Sequence, residues 1–205
     1  MIIVGLWCVI ASSFYVVIEP SPADIGILVL LLAAWASGSF KISKHAHHVV
    51  LLLAAFFLCA AVPTIPVLML PDARRHLSIT GFLLLSWFAY LGIMSCQWTS
   101  ASRALRSGYL VAAILSAIPG IWAFVVDEPE SLLKVSLFGY GTAAPRVKGF
   151  FKDPNVFAPF LAPALLLSLS GWITPQRPLI QRALWLFMAF LFVAGITLSF
   201  SRSAY

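Results

Sequence analysis

Long apolar blocks broken by short polar stretches set the pattern of this chain. A bilayer-spanning helix needs about 20 predominantly apolar residues. On that measure the blocks predict seven transmembrane helices, over Met1–Ile18, Ala23–Phe40, Val49–Leu70, Leu77–Gln97, Gly108–Val126, Pro154–Trp172 and Ala183–Ser201. The turn Glu19-Pro20-Ser21-Pro22 closes the first. Pro63 and Pro66, Pro119, and Pro159 and Pro163 fall inside predicted spans. Prolines kink membrane helices and are tolerated there, so by themselves they say nothing about function. The expected architecture is all-α, a polytopic transmembrane helical bundle forming one domain over residues 1–205. No internal repeat of the kind found in paired-half transporters is evident.

Composition narrows the class. The chain is 61% hydrophobic and 10% charged, with a mean hydropathy of +0.99, whereas soluble domains are about half apolar and about a quarter charged. A net charge of +6 would point to nucleic acid in a soluble protein. Here it fits the surplus of Lys and Arg in cytoplasmic loops, and no nucleic-acid partner is expected. Cys8, Cys59 and Cys96 lie far apart in apolar runs without metal-ligand spacing. The N-terminus lacks a basic region and a small-residue cleavage site, so it reads as a first helix and not a removed signal peptide.

The charges predict an orientation. With the N-terminus cytoplasmic, Lys41 and Lys44, Arg103 and Arg106, and Arg177 and Arg182 fall in cytoplasmic connections that contain no acidic residue. Every acidic residue, Glu19, Asp24, Asp72, Asp127, Glu128, Glu130 and Asp153, falls on the opposite side. Arg74, Arg75, Lys134, Arg146, Lys148 and Lys152 run against this positive-inside trend. Exceptions of that kind mark candidate chemistry.

The connection from Asp127 to Asp153 is the one long loop, expected to be extracytoplasmic, and such loops are usually functional or disordered. Ser131–Phe138 reads as a short interfacial helix, helped by Glu130 and Lys134 at i,i+4 and broken by Gly139 and Gly141. A cationic stretch follows: Arg146, Lys148 and Lys152, with Gly149, Phe150 and Phe151 between. In one reading these cations meet lipid headgroups while both phenylalanines anchor in the interface. In the other they hold a membrane-embedded phosphate, for which the planar fork of Arg is suited. Asp153-Pro154 reads as the N-cap and first residue of the sixth helix. That helix end would favour a nearby anion, and capping leaves Asn155 without an explanation.

Arg202, at the edge of an apolar segment, faces either a cavity or the headgroups. His45, His47 and His48 resemble a small metal tract but flank Lys41 and Lys44, so interfacial roles are expected and no metal. Asp127, Glu128 and Glu130 read as a solvated loop entry. Asp72, Arg74 and Arg75 read as a short turn. The end at Ser203-Ala204-Tyr205, directly after an apolar helix, reads as a truncation.

The order of these features resembles a known family. Arg146-x-x-Gly149-Phe150-Phe151-x-Asp153-Pro154-Asn155, a Pro-containing helix, and then Leu198-Ser199-Phe200-Ser201-Arg202-Ser203-Ala204 look like the N-terminal portion of the bacterial O-antigen ligase and O-antigen polymerase family. Ser203 stands where that family usually has Gly. The resemblance covers roughly residues 146–204, and the earlier spans match only in hydrophobicity.

It implies a lipid-linked glycosyltransferase-type fold in the bacterial inner membrane, serving surface-polysaccharide (including exopolysaccharide) biosynthesis. Glycan would move from an undecaprenyl diphosphate carrier to a glycan or lipid acceptor at the outer face, without metal or other cofactor. Arg146 and Arg202 would stabilise the diphosphate, with Lys148, Lys152 and Asn155 binding substrate. Further Arg and His residues would lie beyond Tyr205, so the chain alone is expected to be inactive. The alternatives are a transporter or flippase for an amphiphilic anion, or a noncatalytic membrane subunit.

Overall fold

The computed structural model describes residues 1–17, 20–125, 138–139 and 146–201, with the backbone alone for His45 and Phe138. Among these, seven α-helices occur: α1 (Ile2–Ala11), α2 (Pro22–Ala36), α3 (His47–Ala61), α4 (Pro71–Cys96), α5 (Trp98–Val125), α6 (Pro154–Ile173) and α7 (Leu179–Leu198). Two short strands, β1 (Phe138–Gly139) and β2 (Arg146–Val147), pair antiparallel with Phe138 opposite Val147 and Gly139 opposite Arg146. Among the described residues the architecture is all-helical apart from this ribbon.

Among the described residues, five helical segments are long and apolar enough to cross a bilayer: His47–Val67, α4, α5, α6 and α7. This is the make-up of a multi-pass membrane protein. The first two apolar runs hold shorter helices than expected, of 10 and 15 residues. At about 1.5 Å per residue these cover about 15 and 22 Å, less than a hydrocarbon core of about 30 Å. After α1, the hydroxyls of Ser12 and Ser13 donate back to the carbonyls of Val9 and Ile10 at 2.9 and 2.7 Å. The chain tightens into a 3₁₀ turn at Ser12–Phe14 and then runs extended. α2 stops in a Schellman motif: Gly38 takes φ +67°, and the amides of Gly38 and Ser39 return to the carbonyls of Trp35 and Ala34. Glycine provides the left-handed turn that other residues resist.

Two predicted boundaries move outward. α4 begins at Pro71, so Asp72, Arg74 and Arg75 ride on its first turns instead of forming a separate turn, with Asp72 at the positive helix end. α5 begins at Trp98, with only Gln97 between it and the end of α4, so Arg103 and Arg106 are helical and not part of a loop. Phe138 lies in a strand where the sequence pattern predicts the end of an interfacial helix. Residues 126–137, which include Asp127, Glu128, Glu130 and Lys134, lie outside the described residues.

The chain divides into two compact units, Met1–Leu6 with Gly26–Ala104, and Trp7–Ile25 with Leu105–Tyr205. Within the first, the Phe40 ring lies so close over Gly92 that a Cβ there would sit 2.0 Å from it. The Phe40 and Phe88 rings stack with centroids 5.1 Å apart. α3 runs on through a 3₁₀ segment, Val62–Val67, where Pro63 and Pro66 withhold amide donors.

Within the second unit, α6 and α7 form a helical hairpin. Phe157, Leu161, Ala164, Ser168 and Gly171 recur every three or four residues on α6, all buried, and Ala189, Phe192, Gly195 and Ile196 do the same on α7. Membrane helices approach closely where such small residues face each other. A Cβ at Gly171 would lie 2.3 Å from the Trp185 ring, and one at Gly195 2.7 Å from Leu161. The short connection is pinned by Arg177, whose guanidinium sits 4.8 Å from the Trp185 ring centroid. Arg182 Nε donates to the Trp172 carbonyl at 3.0 Å. Ala113 and Ala117 of α5 join this core with Val147 and Phe151. The outward faces of both units carry exposed apolar side chains, among them Leu32 and Trp35 on α2 and Phe187 and Phe190 on α7, as lipid contact requires.

Candidate functional site

After the strand Arg146–Val147 the chain turns, with Gly149 at φ +54° and the Phe151 N–H donating to the Lys148 carbonyl at 3.1 Å. Val147, Gly149 and Phe151 are buried, while Arg146, Lys148 and Phe150 are half-buried on the other side and Lys152 is exposed. Burial thus alternates along the segment although only its first two residues are strand. The alternation puts Arg146 and Lys148 on one edge and drives three residues into the core. Val147 seats against Gly120, where a Cβ would stand 2.9 Å away. Gly149 takes φ +54° and presses on α5 and α6: a Cβ would meet Ser116 Oγ at 2.6 Å and both the Ser116 carbonyl and Phe157 at 3.0 Å.

Phe151 packs with ring centroids 4.8 Å from Phe160 and 6.0 Å from Phe157. It is therefore a core residue, and the reading of both phenylalanines as interfacial anchors fails for it. Phe150 rests on Phe14 and Tyr15 at 5.5 and 5.9 Å, and its carbonyl accepts from Val16 N–H. Contacts from α5, α6 and the first 3₁₀ turn thus fix the segment that carries Arg146.

α6 starts as its sequence requires. Asp153 is the N-cap, its Oδ1 accepting the Asn155 N–H at 2.8 Å, and Pro154 is the first helical residue. This leaves the Asn155 side chain for other work. Its Oδ1 accepts from Arg146 Nη2 at 3.1 Å and from Ser201 Oγ at 3.1 Å.

The third contributor is the end of α7. Ser199 caps that helix, and Phe200 turns the chain with φ +47°, a left-handed conformation unusual for a bulky residue. The turn aims two carbonyls at Arg146: Nε donates to the Ser199 carbonyl at 2.9 Å and Nη2 to that of Phe200 at 3.0 Å. Ser199 and Ser201 are fully buried beneath the turn, and the Ser201 amide donates to Ser199 Oγ at 3.2 Å.

The chemistry of this arrangement follows from its partners. All three acceptors of Arg146 are neutral, and no carboxylate pairs with it among the described residues. The negative end of the α7 dipole orients the guanidinium and offsets only part of its charge. Nη1 has no hydrogen bond among the described residues. One edge of the fork is held, and the other can meet an anion. Lys148 sits on the same outward edge, and burial pushes its ammonium below the ordinary lysine value. Desolvation disfavours its charged form, so an incoming anion would be bound in part by restoring that charge.

Compared with protein-family models, curated proteins and solved structures, the chain matches none. The site therefore stands on its geometry.

That geometry unites Arg146 and Asn155, gives Asp153 and Pro154 to the cap of α6, and sets Lys148 and Lys152 on the turn between β2 and α6. Arg202 lies outside the described residues; its neighbour Ser201 bonds Asn155. The sequence reading missed the roles of the Ser199 and Phe200 carbonyls and of the Ser201 hydroxyl. Their signal was small polar residues at the end of an apolar run. Among the described residues, no three His, Cys, Asp or Glu side chains gather as metal ligands would.

Proposed function

We propose that this chain takes part in surface-polysaccharide synthesis, holding the diphosphate of a polyprenyl-linked glycan at Arg146 during transfer to an acceptor hydroxyl. The observation that carries the reading is the Arg146 fork: one edge is fixed by Ser199, Phe200 and Asn155, and the charge has no carboxylate partner among the described residues. In such a transfer the bond from the sugar's anomeric carbon to the diphosphate oxygen breaks and the acceptor oxygen takes its place. The acceptor loses its proton, and negative charge builds on the departing diphosphate. A fixed cation in a partly desolvated site stabilises that charge most as the bond breaks. Lys148, Lys152 and the N-terminus of α6 add to the field, and Arg202 is a second cation of the same role. The two motifs that carry the resemblance to O-antigen ligases and polymerases are those that supply Arg146 with Asn155, and Ser199–Ser201.

The finer picture belongs to the same proposal. The first two apolar runs complete seven spans, the N-terminus is cytoplasmic, the membrane is the bacterial inner membrane, and the site opens on its outer face. The surrounding fold is of the lipid-linked glycosyltransferase type.

The same hydrogen bonds favour a second reading, in which Arg146 only caps α7, since basic side chains often satisfy the last carbonyls of a helix. Arg146→Lys separates the two. It keeps a cation near the carbonyls but loses the fork. In the intact protein, Arg146→Ala and Arg146→Lys are each expected to lower glycan transfer about a hundredfold or more, with normal membrane insertion and an unchanged melting temperature for the Lys variant. Full transfer by Arg146→Lys would reduce the residue to a cap.

A further inference from the structure

The first unit holds a groove of about 310 Å³ between α3 and α4, lined by Val50, Leu53, Ala54 and Phe57 on one side and Gly81, Leu84, Leu85 and Phe88 on the other. Its walls are almost wholly apolar. The residues follow the 3–4 spacing of one helix face on each side. At Gly81 the missing side chain leaves the wall open: a Cβ there would only touch Phe57, at 3.4 Å.

The two ends of this groove differ. At the Val50/Phe88 end the chain entering α3 folds over it. Phe40 stacks on Phe88 with centroids 5.1 Å apart, and the next residue, Lys41, donates its backbone N–H to the Gly92 carbonyl at 3.3 Å, one turn beyond Phe88. On the α3 side, the stripe Val50, Ala54, Phe57 continues back to His47, one turn earlier. Its Nδ1 lies 3.2 Å from the Lys44 carbonyl. The side chains of Lys41, Lys44 and His47 are all exposed. Lys44 belongs to a 3₁₀ turn whose N-cap is Ser43. The Ser43 hydroxyl accepts the Ala46 N–H at 3.2 Å and holds the turn against the start of α3. One end of an apolar groove thus carries two lysines and a histidine on anchored backbone.

We propose that this groove is a binding site for an anionic glycerophospholipid, with an acyl chain along Leu53, Phe57, Gly81 and Leu84 and the phosphate at Lys41, Lys44 and His47. Charge complementarity selects the occupant. Any lipid would wet an apolar groove, but only an anionic headgroup gains from a fixed cationic end, and basic pockets between membrane helices hold such headgroups. The glycine at position 81 gives the chain room, and the Phe40–Phe88 pair closes the groove where the headgroup begins. The site lies outside the Arg146 cluster and does not depend on the function proposed for it.

The test uses the full chain in nanodiscs or mild detergent, with retained lipid counted by native mass spectrometry. Phosphatidylglycerol and phosphatidylcholine of equal chain length are offered in competition. Wild type is expected to retain phosphatidylglycerol about tenfold or more over phosphatidylcholine at low salt. Lys41→Gln/Lys44→Gln should erase that preference while leaving total lipid retention near wild type. Gly81→Leu, which places a side chain in the groove, should lower retention of both lipids severalfold with an unchanged circular dichroism spectrum. Leu84→Trp serves in its place if that spectrum changes. Equal retention of the two lipids by wild type would overturn the proposal, as would full retention of phosphatidylglycerol by the filled-groove variant. Displacement of phosphatidylglycerol by equimolar polyprenyl phosphate would also overturn it, since the groove would then belong to another lipid.

Discussion

Gly149 shows what a single position must satisfy here. Its φ of +54° lies in the left-handed region, and its α-carbon presses against Ser116 and Phe157. Gly149→Ala adds both backbone strain and an overpacked contact, so a loss of about 2–4 kcal/mol is expected from thermal unfolding in detergent. Ser116→Ala in the same chain should recover part of that loss by removing the nearest atom, Oγ, which is buried without a hydrogen-bond partner among the described residues. Full recovery would mean that the φ constraint costs nothing. Asp153→Ala should cost about 1 kcal/mol, the worth of an N-cap, without touching the Arg146 contacts. Lys148 gives a pH signature. Burial lowers its pKa, so it loses its charge at a lower pH than an ordinary lysine. Affinity for a diphosphate-bearing ligand should therefore fall as pH rises through that lowered value, and Lys148→Gln should flatten this part of the profile. A profile identical in wild type and Lys148→Gln would remove Lys148 from the site. At this scale the cap and the cations were legible in the sequence, because Asp-Pro before an apolar run and Arg beside one each carry a specific cost or preference. The acceptors of Arg146 were not, since two of the three are main-chain carbonyls that every residue possesses.

Helices are easier to find than their ends. Hydropathy marks where lipid contact stops, whereas hydrogen bonding decides where a helix stops, and the two differ by whole turns in α4 and α5. Arg74, Arg75, Arg103 and Arg106 all lie on helical backbone beyond the apolar core of their spans. The first run errs in the other direction, because Ser12 and Ser13 bond their own backbone and end α1 early. The charges before α6 mark a cationic stretch and hide a strand. The strand is only Arg146–Val147, and the left-handed turn at Gly149, which no hydropathy pattern marks, brings Phe151 inward after it. Element packing yields its own prediction at the α6–α7 hairpin. Gly171 admits the Trp185 ring, so Gly171→Leu must push the helices apart at their connected end. Spin labels flanking that position should report a separation increased by a few ångströms, and the Arg177 guanidinium should no longer sit over the Trp185 ring. An unchanged distance would show that Trp185 swings away and that the glycine does not set the approach.

The whole molecule raises the question of sidedness, and the five long helices yield a prediction that does not depend on the first two. Lys44 and Arg177 are separated by four of them, α3 to α6, so their connections fall on the same side of a membrane that all four cross. Lys44 and Lys152 are separated by three, α3 to α5, so crossing by all three predicts opposite sides for them. These relations do not depend on whether α1 and α2 cross, because both helices precede Lys44. The positive-inside bias then favours the side of Lys41, Lys44, Arg103, Arg106, Arg177 and Arg182 as cytoplasmic. Single cysteines in a background lacking Cys8, Cys59 and Cys96 test this directly. With an impermeant thiol reagent on intact cells, Lys152→Cys should be labelled, while Ser43→Cys and Gln176→Cys should react only after permeabilisation. Labelling of Ser43→Cys and Lys152→Cys from the same side would mean that α3 to α5 do not all cross. The Arg146 cluster would then face the compartment assigned here to Lys44, and a glycan carrier displayed on the outer face could not reach it.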